Sequence, residues 1–238
     1  MTHVKNVEAF TRLVGFCTGY GGKYNPGHPT LQIEALVNQL NETQSAIEQV
    51  KVAKTAFDNE VNQRRQIFDQ LPRLVSSILR TLEASGAKPE KLDDARAFAH
   101  QLFGSSPKNR QPLPAEKTDK PAVHRSRLQL AYVSKADSFS KLVKAVLSEP
   151  LYQPREMNLN QAGLEAKVKE LNQLNQQVAE ARTRWSQSLI GRNKVMYRQD
   201  VSMIKTAKAV KKYTRAIYGH DSQEYALVKS LSFKKPTM

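Results

Sequence analysis

An internal repeat limits the folds open to this chain more than any other feature of its sequence. Residues 4–14 (VKNVEAFTRLV) match 133–143 (VSKADSFSKLV), and residues 33–47 (IEALVNQLNETQSAI) match 164–178 (LEAKVKELNQLNQQV). The matches keep one order along the chain and are separated by 128 to 131 residues throughout. Such collinear similarity predicts that two copies of one structural unit make up nearly all of the chain.

The repeat predicts a simple domain organisation. The first helical repeat covers 1–104 and the second, strongly basic helical repeat covers 123–238. The segment between them, 105–122, holds four prolines and three lysines without apolar periodicity, so it is predicted to be an exposed linker. A length of 238 residues also fits two domains of roughly 100 to 150 residues.

Apolar residues recur at steps of three and four, which predicts long helices packed in a coiled-coil manner. In the first copy this seam consists of Ile33, Leu36, Leu40, Thr43, Ile47, Val50, Lys54, Phe57, Val61, Arg64, Phe68 and Leu71. The second copy repeats it less regularly at Leu164, Leu171, Leu174, Val178, Ala181, Trp185 and Leu189. Alternating strand patterns are missing. The predicted fold class is all-α: two homologous elongated helical bundles with long coiled-coil-like helices.

Proline and glycine predict where these helices break. Pro72 should begin a new helix or kink the old one, because it lacks a backbone donor. At the corresponding position the second copy has Ser202, so its helix is predicted to continue smoothly. Gly86 and Gly219 are predicted to follow helix ends, and Pro89 suits the first turn of the next helix.

No arrangement of residues predicts catalysis. The glycine stretch 15–23 lacks the first glycine and the final serine or threonine of a phosphate loop, so it is interpreted as a loop between helices. The five histidines are scattered without metal-ligand spacing, and Cys17 is interpreted as a partly buried structural thiol. We therefore predict a protein that is not an enzyme, with no cofactor, no metal site and no small-molecule substrate indicated.

The single cysteine also bears on the compartment. One cysteine excludes an internal disulfide framework and indicates a reducing environment. The first residues lack the apolar run of a secretory signal, and no stretch approaches the roughly 20 apolar residues of a transmembrane helix. The predicted location is the cytoplasm.

The charge of the chain is unusual and unevenly distributed. The net charge is +15 and the isoelectric point is near 9.9. Residues 1–120 carry a net charge of +3 and residues 121–238 carry +12. Between 182 and 215 there are ten basic residues and one acidic residue. This excess indicates a polyanionic partner or strong self-repulsion.

A helical wheel concentrates this charge in one stripe. Lys194, Arg198, Lys205, Lys208 and Lys212 fall within about 40° of one line, with Arg215 just beyond. The predicted nucleic-acid-binding residues are Arg184, Lys194, Arg198, Lys205, Lys208, Lys212 and Arg215. The opposite face is predicted to be apolar and consists of Trp185, Leu189, Met196, Met203, Val210 and Ile217.

The stripe admits several interpretations. It is predicted to bind nucleic acid backbone or ribosomal RNA non-specifically, since sequence-reading motifs are missing and only Tyr197 and Tyr213 lie among the basic residues. Other polyanions, including an anionic membrane surface, would suit the same charges. The simplest alternative is a solvated face that keeps the protein soluble, or one that pairs with acids such as Glu42 and Glu48 in the other copy. A structural role, in which the chain forms a homo-oligomer through its long-helix seams, is the other function considered.

Several short motifs carry a resemblance to known proteins. Residues 218–225 (YGHDSQEY) and 232–236 (SFKKP) occur together with paired Phe-x-x-Leu-Val and Tyr-x-Pro elements. In this combination the chain resembles a set of bacterial all-helical tandem-repeat proteins of about the same length. No activity is established for that set, so the resemblance implies the duplication and implies no function.

Overall fold

The structure, a computed structural model, describes residues 2–103, 123–198 and 200–236. The described part contains α-helices and no strand, which confirms the predicted all-helical class. The helices are α1 (Thr2–Gly19), α2 (Ile33–Asp69), α3 (Leu71–Ala84), α4 (Pro89–Phe103), α5 (Val123–Leu147), α6 (Gln161–Asn193), α7 (Met203–Tyr218) and α8 (Gln223–Ser230). Two 3-10 turns, Gly21–Lys23 and Pro29–Leu31, precede α2, and a π-helical turn, Lys194–Arg198, follows α6. The predicted linker, 105–122, lies outside the described residues.

The long predicted helices are present, with 37 residues in α2 and 33 in α6. None of the twelve seam residues of the first copy is exposed, so the predicted packed stripe is confirmed. Its polar members are covered as well: Thr43 is fully buried and Arg64 is 3% exposed. Coiled-coil geometry in this packing stays a prediction.

Helix breaks lie where proline and glycine predicted them. Pro72 occupies the first turn of α3, where a missing backbone donor costs nothing. Gly86 and Gly219 follow α3 and α7 with φ angles of 77° and 91°, values that a residue with a Cβ rarely adopts. Pro89 begins α4, as predicted.

The predicted smooth continuation through Ser202 is wrong. The π-helical turn after α6 is followed by a turn at Asp200–Val201, and Ser202 adopts an extended conformation (φ −80°, ψ 152°) before α7 begins. Because the π turn changes the number of residues per turn, it brings both Met196 and Tyr197 into the core. Neither residue is a helix breaker, so the propensities of the sequence did not reveal this interruption.

Contacts divide the chain into two compact units, and neither is a continuous segment. Unit 1 combines residues 1–57 with 182–238, and unit 2 consists of residues 58–181. The boundaries of the units therefore fall within α2 and α6. This division differs from the predicted sequence repeats, 1–104 and 123–238, whose boundaries stay a prediction.

Unit 2 has its own hydrophobic core, built from α3, α4, α5 and the adjoining parts of α2 and α6. Its large, fully buried side chains are Leu71, Ile78, Leu82, Leu102, Phe139, Leu142, Leu164 and Leu171. Arg64 lies in this core with its guanidinium 4.1 Å from the centre of the Tyr132 ring, and it donates to Asn175 Oδ1 at 3.3 Å. Burial lowers the pKa of Arg64.

Unit 1 has a separate core, in which α1 and the start of α2 pack with the π turn, α7 and α8. Its buried side chains include Phe10, Leu13, Cys17, Leu36, Met196, Met203, Val210 and Val228. The glycine stretch 15–23, predicted to be a loop, belongs to α1 as far as Gly19. The helix extends this far because Cys17 continues the buried face formed by Leu13 and Val14.

Each unit contains the same local feature at its Tyr-x-Pro element. In unit 1 the buried hydroxyl of Tyr24 donates to the carbonyl of Leu31 at 2.9 Å. In unit 2 the buried hydroxyl of Tyr152 donates to the carbonyl of Leu159 at 3.0 Å. Both bonds span seven residues, and both hold the loop that precedes a long helix. The two tyrosines therefore pin the loops that precede α2 and α6.

Candidate nucleic-acid interface

Helix α7 carries the largest cluster of predicted site residues, and its amphipathic sequence determines which residues face solvent. The buried side consists of Met203, Ile204, Thr206, Ala207, Val210 and Thr214. This side packs against α1, α8, the turn Pro29–Leu31 and the π turn. Lys205, Lys208, Lys212 and Arg215 are all exposed, and we call this set the α7 cationic face.

Spacing places these four cations side by side. They follow one another at intervals of three, four and three residues, which keeps them within about 80° around the helix at 100° per residue. Neighbours at such intervals have Cβ atoms about 5 to 6 Å apart. The last cation lies ten positions after the first, so the α7 cationic face extends for about 15 Å along the helix.

Acidic groups compensate little of this charge. Lys205 lies 3.3 Å from Asp200, but both side chains are largely exposed, and such pairs contribute about 0 to 1 kcal/mol. Within the described part of the chain, Lys208, Lys212 and Arg215 form no ion pair. The α7 cationic face thus presents at least three uncompensated charges to solvent.

The fifth basic residue of α7, Lys211, has a structural role. Its Nζ donates to the carbonyl of Lys229 at 3.2 Å and to the carbonyl of Leu231. These bonds satisfy acceptors at the end of α8, where a cation is favourable. Burial lowers the pKa of Lys211. Lys211 therefore does not belong to the α7 cationic face.

The other predicted site residues lie on different elements. Arg184 is exposed on α6, whereas Lys194 and Arg198 are exposed on the π turn. The predicted single line of charge assumed a continuous helix, and the interruption before α7 breaks it. On the opposite side, Met196, Met203 and Val210 are buried as predicted, Trp185 and Leu189 are partly buried, and Ile217 is 44% exposed.

The net positive charge is concentrated in unit 1, because this unit has far fewer acidic residues than unit 2. Its residue ranges contain 18 lysines and arginines against 7 carboxylates, whereas those of unit 2 contain 19 against 15. Unit 1 thus carries a net charge of +11 and unit 2 carries +4. The cationic excess belongs to the compact unit that contains α7.

The end of the described chain adds two exposed lysines to unit 1. Asn6, which is 2% exposed, donates Nδ2–H to the carbonyl of Lys234 at 2.7 Å and accepts from the Lys234 backbone N–H at 3.0 Å. Asn6 also donates to the hydroxyl of Tyr197 at 3.2 Å, and His3 Nδ1 lies 2.8 Å from that hydroxyl. This network holds the segment that bears Lys234 and Lys235 against α1.

Two shallow grooves offer other candidate sites. A groove of about 390 Å³ in unit 2 is lined by Gln70, Arg73, Ser77, Asn158 and Lys167 among others, and Lys167 is already paired with Glu170 at 2.6 Å. A groove of about 580 Å³ in unit 1 is lined by Thr30, Gln39, Glu42 and Val201, with Gln39 donating to the Val201 carbonyl at 2.8 Å. Neither lining contains a cysteine or a histidine. Neither groove therefore brings together as many charged side chains as the α7 cationic face.

Within the described ranges, no group of three or more histidine, cysteine, aspartate or glutamate side chains could hold a metal ion. Of the described helices, none is long and apolar enough to span a membrane. Comparisons with protein-family models, with curated proteins and with solved structures gave no significant match.

Cys17 lies in the core of unit 1, and its environment predicts an effect of pH on stability. Burial raises the pKa of its thiol from 9.0 to about 11, although a hydrogen bond with Tyr24 lowers it in part. Between these values the unfolded chain loses a proton that the folded chain retains, so stability is intact below pH 9 and is lost as pH rises through 11. Urea unfolding of the native chain should therefore show a steeper alkaline loss than Cys17→Ala. Equal losses in the two proteins would contradict this role of the thiol.

Proposed function

We propose that this chain is a non-enzymatic binding protein that engages the phosphate backbone of nucleic acid, without reading its sequence, through the α7 cationic face. The observation that carries the proposal is the row of Lys205, Lys208, Lys212 and Arg215, three of which lack an ion-pair partner within the described residues. Cytoplasmic action is part of the proposal and rests on the single, free and buried cysteine.

Electrostatics supports a polyanionic partner. Like charges three and four residues apart destabilise a helix by a few tenths of a kcal/mol per pair, so the row carries a cost in the free protein. A phosphate backbone would relieve this repulsion and release its condensed counterions. Four phosphate contacts would make log K fall against log salt with a slope of about −4.

Comparison with α3 supports a role beyond solubility. Helix α3 follows the long helix α2 as α7 follows α6, and its exposed residues include Arg73, Arg80 and Glu83. The exposed residues of α7 include four cations and no acid. If solvation alone were required, the mixed charges of α3 would serve equally well. The concentration of positive charge on α7 therefore favours a partner of opposite charge.

The paired sequence motifs support a further part of the proposal, that the chain is an internal duplication. Phe10 and Phe139 occupy matched positions and both are fully buried. Tyr24 and Tyr152 are also matched, and they form the same hydrogen bond to a carbonyl seven residues ahead. Each compact unit would then combine the first part of one copy with the last part of the other.

Self-association through the long-helix seams has less support. The seam residues of α2 are covered within the single chain, so they do not offer an unoccupied apolar surface. We therefore develop the nucleic-acid proposal.

Charge reversal on the α7 cationic face tests the proposal. The variant Lys205→Glu/Lys208→Glu/Lys212→Glu should lose at least about tenfold in affinity for a mixed-sequence DNA duplex at low salt, because three phosphate contacts become repulsive. Fluorescence anisotropy of a labelled duplex measures the affinity, and circular dichroism verifies that α7 remains helical. The salt slope of any residual binding should also become shallower.

A control with the same change in net charge separates a local site from general attraction. Arg73, Arg80 and Lys88 are exposed in unit 2 and form no ion pair within the described residues. Arg73→Glu/Arg80→Glu/Lys88→Glu should lose only a small part of the affinity. Equal losses in the two variants, or no binding by the native chain at about 50 mM salt, would overturn the proposal.

A further inference from the structure

The proposed function leaves open which form of nucleic acid the α7 cationic face accepts, and the aromatic residues of unit 1 bear on this question. Proteins that bind single strands combine cations with exposed aromatic rings, since each stacked base contributes about 1 to 3 kcal/mol. Among the described residues of unit 1, no phenylalanine, tyrosine or tryptophan is exposed. The cationic row therefore has no fully exposed aromatic ring beside it.

The rings of both tyrosines of α7 already pack against other aromatic rings of unit 1. Tyr213 packs edge-on against Tyr24, with ring centres 5.4 Å apart. Tyr218 packs against Tyr20 with ring centres 5.3 Å apart, and its hydroxyl is buried. Both contacts join α7 to the segment that follows α1, which contains Tyr20 and Tyr24. Stacking a base on either ring would require these contacts to break.

A surface that offers charge alone should favour the polyanion with the greater charge density. A duplex presents one phosphate charge per about 1.7 Å of its axis, whereas each strand alone presents one per about 3.4 Å. The α7 cationic face is about 15 Å long. A major groove is about 12 Å wide, so the two ends of the row are far enough apart to reach the phosphates on both sides of such a groove.

We infer that the α7 cationic face binds double-stranded nucleic acid in preference to single strands. This inference rests on the proposed function, because it concerns the same four cations. It adds the secondary structure of the partner, which the proposed function does not specify. The juxtaposition that carries it is an exposed cationic row next to aromatic rings that are all at least partly buried.

A direct comparison of strand forms tests the inference. The native chain is titrated into a labelled mixed-sequence oligonucleotide of about 24 nucleotides without hairpins, and into the duplex of the same sequence. We expect the duplex to bind at least about tenfold more tightly and with the steeper salt slope, since each contact contributes about −0.9 on a duplex and −0.7 on a single strand. Equal or tighter binding of the single strand would overturn the inference while leaving the proposed function intact. If neither form binds, the proposed function itself fails.

An added aromatic residue provides a second test. Ala216 is exposed on α7 four residues after Lys212 and on the same side of the helix, so Ala216→Trp places a stacking ring beside the cationic row. This variant should bind the single strand several-fold more tightly and the duplex with nearly unchanged affinity. Ala216→Leu controls for added apolar surface. If Ala216→Trp leaves the strand preference unchanged, the preference does not arise from the lack of an aromatic platform, and this basis of the inference is contradicted.

Discussion

Replacing Phe10 with alanine should loosen residues 203–231, which lie far along the sequence, and should leave residues 71–102 protected. Phe10 is fully buried in the core that α1 shares with α7 and α8. Removing a buried phenylalanine costs about 3 to 5 kcal/mol, because the lost contacts leave a cavity. Hydrogen exchange followed by mass spectrometry would locate the loosened segments, since exchange rates report local opening.

The matched variant Phe139→Ala should give the opposite pattern. Phe139 is fully buried in the core of unit 2, together with Ile78 and Leu102. Its loss should raise exchange in α3 and α4 and have less effect on α7 and α8. If Phe10→Ala loosened α3 and α4 instead, each sequence repeat would form its own core, and the division into units 1 and 2 would be contradicted.

Substitution of Gly163 by alanine should strongly destabilise unit 2. Gly163 lies in the first turn of α6, where its N–H donates to Asn160 Oδ1 at 2.9 Å. A Cβ at this position would overlap the backbone carbonyl of Met157. Backbone atoms do not yield as the end of a side chain does, so a cost of roughly 1 to 3 kcal/mol is expected. Disturbing the Asn160 cap adds about 1 kcal/mol.

Gly191 provides a control in the same helix. A Cβ there would meet no atom within 4 Å, and its φ lies in the ordinary helical range. Gly191→Ala should therefore stabilise the protein by roughly 0.5 to 1 kcal/mol, through the lower entropy of the unfolded chain. Thermal unfolding should shift in opposite directions for the two variants. A similar shift in both would refute the close approach of Met157 to Gly163.

Local features of the fold could be predicted because single residues determine them. Pro72 lacks a backbone donor, and Gly86 and Gly219 adopt positive φ angles, so each marks a helix boundary in isolation. The buried stripe of α2 could be predicted from the spacing of its apolar residues, which is also a local property of the sequence. Exposure of Lys205, Lys208 and Lys212 followed from their position opposite Met203 and Val210.

The sequence did not predict which helices pack against one another. Phe10 and Phe139 occupy matched positions, so the helices that carry them present similar apolar faces, and hydrophobic patterning does not specify which later helices cover each one. The cationic row was also predicted on one continuous helix. The π turn at Lys194–Arg198 changes the register, and the burial of Met196 and Tyr197 that accompanies it depends on tertiary contacts.

The hydrogen bonds between Asn6 and Lys234 have a consequence for the order in which the chain folds during its synthesis. Unit 2 has all its residues once position 181 has been synthesised, whereas α1 waits for α7, α8 and the segment held by Asn6. At about 5 to 20 residues per second, the apolar side of α1 remains uncovered for roughly 10 to 40 s. Unit 2 can therefore bury its core before α7 and α8 cover the Phe10 and Leu13 side of α1, although α1 precedes unit 2 in the sequence.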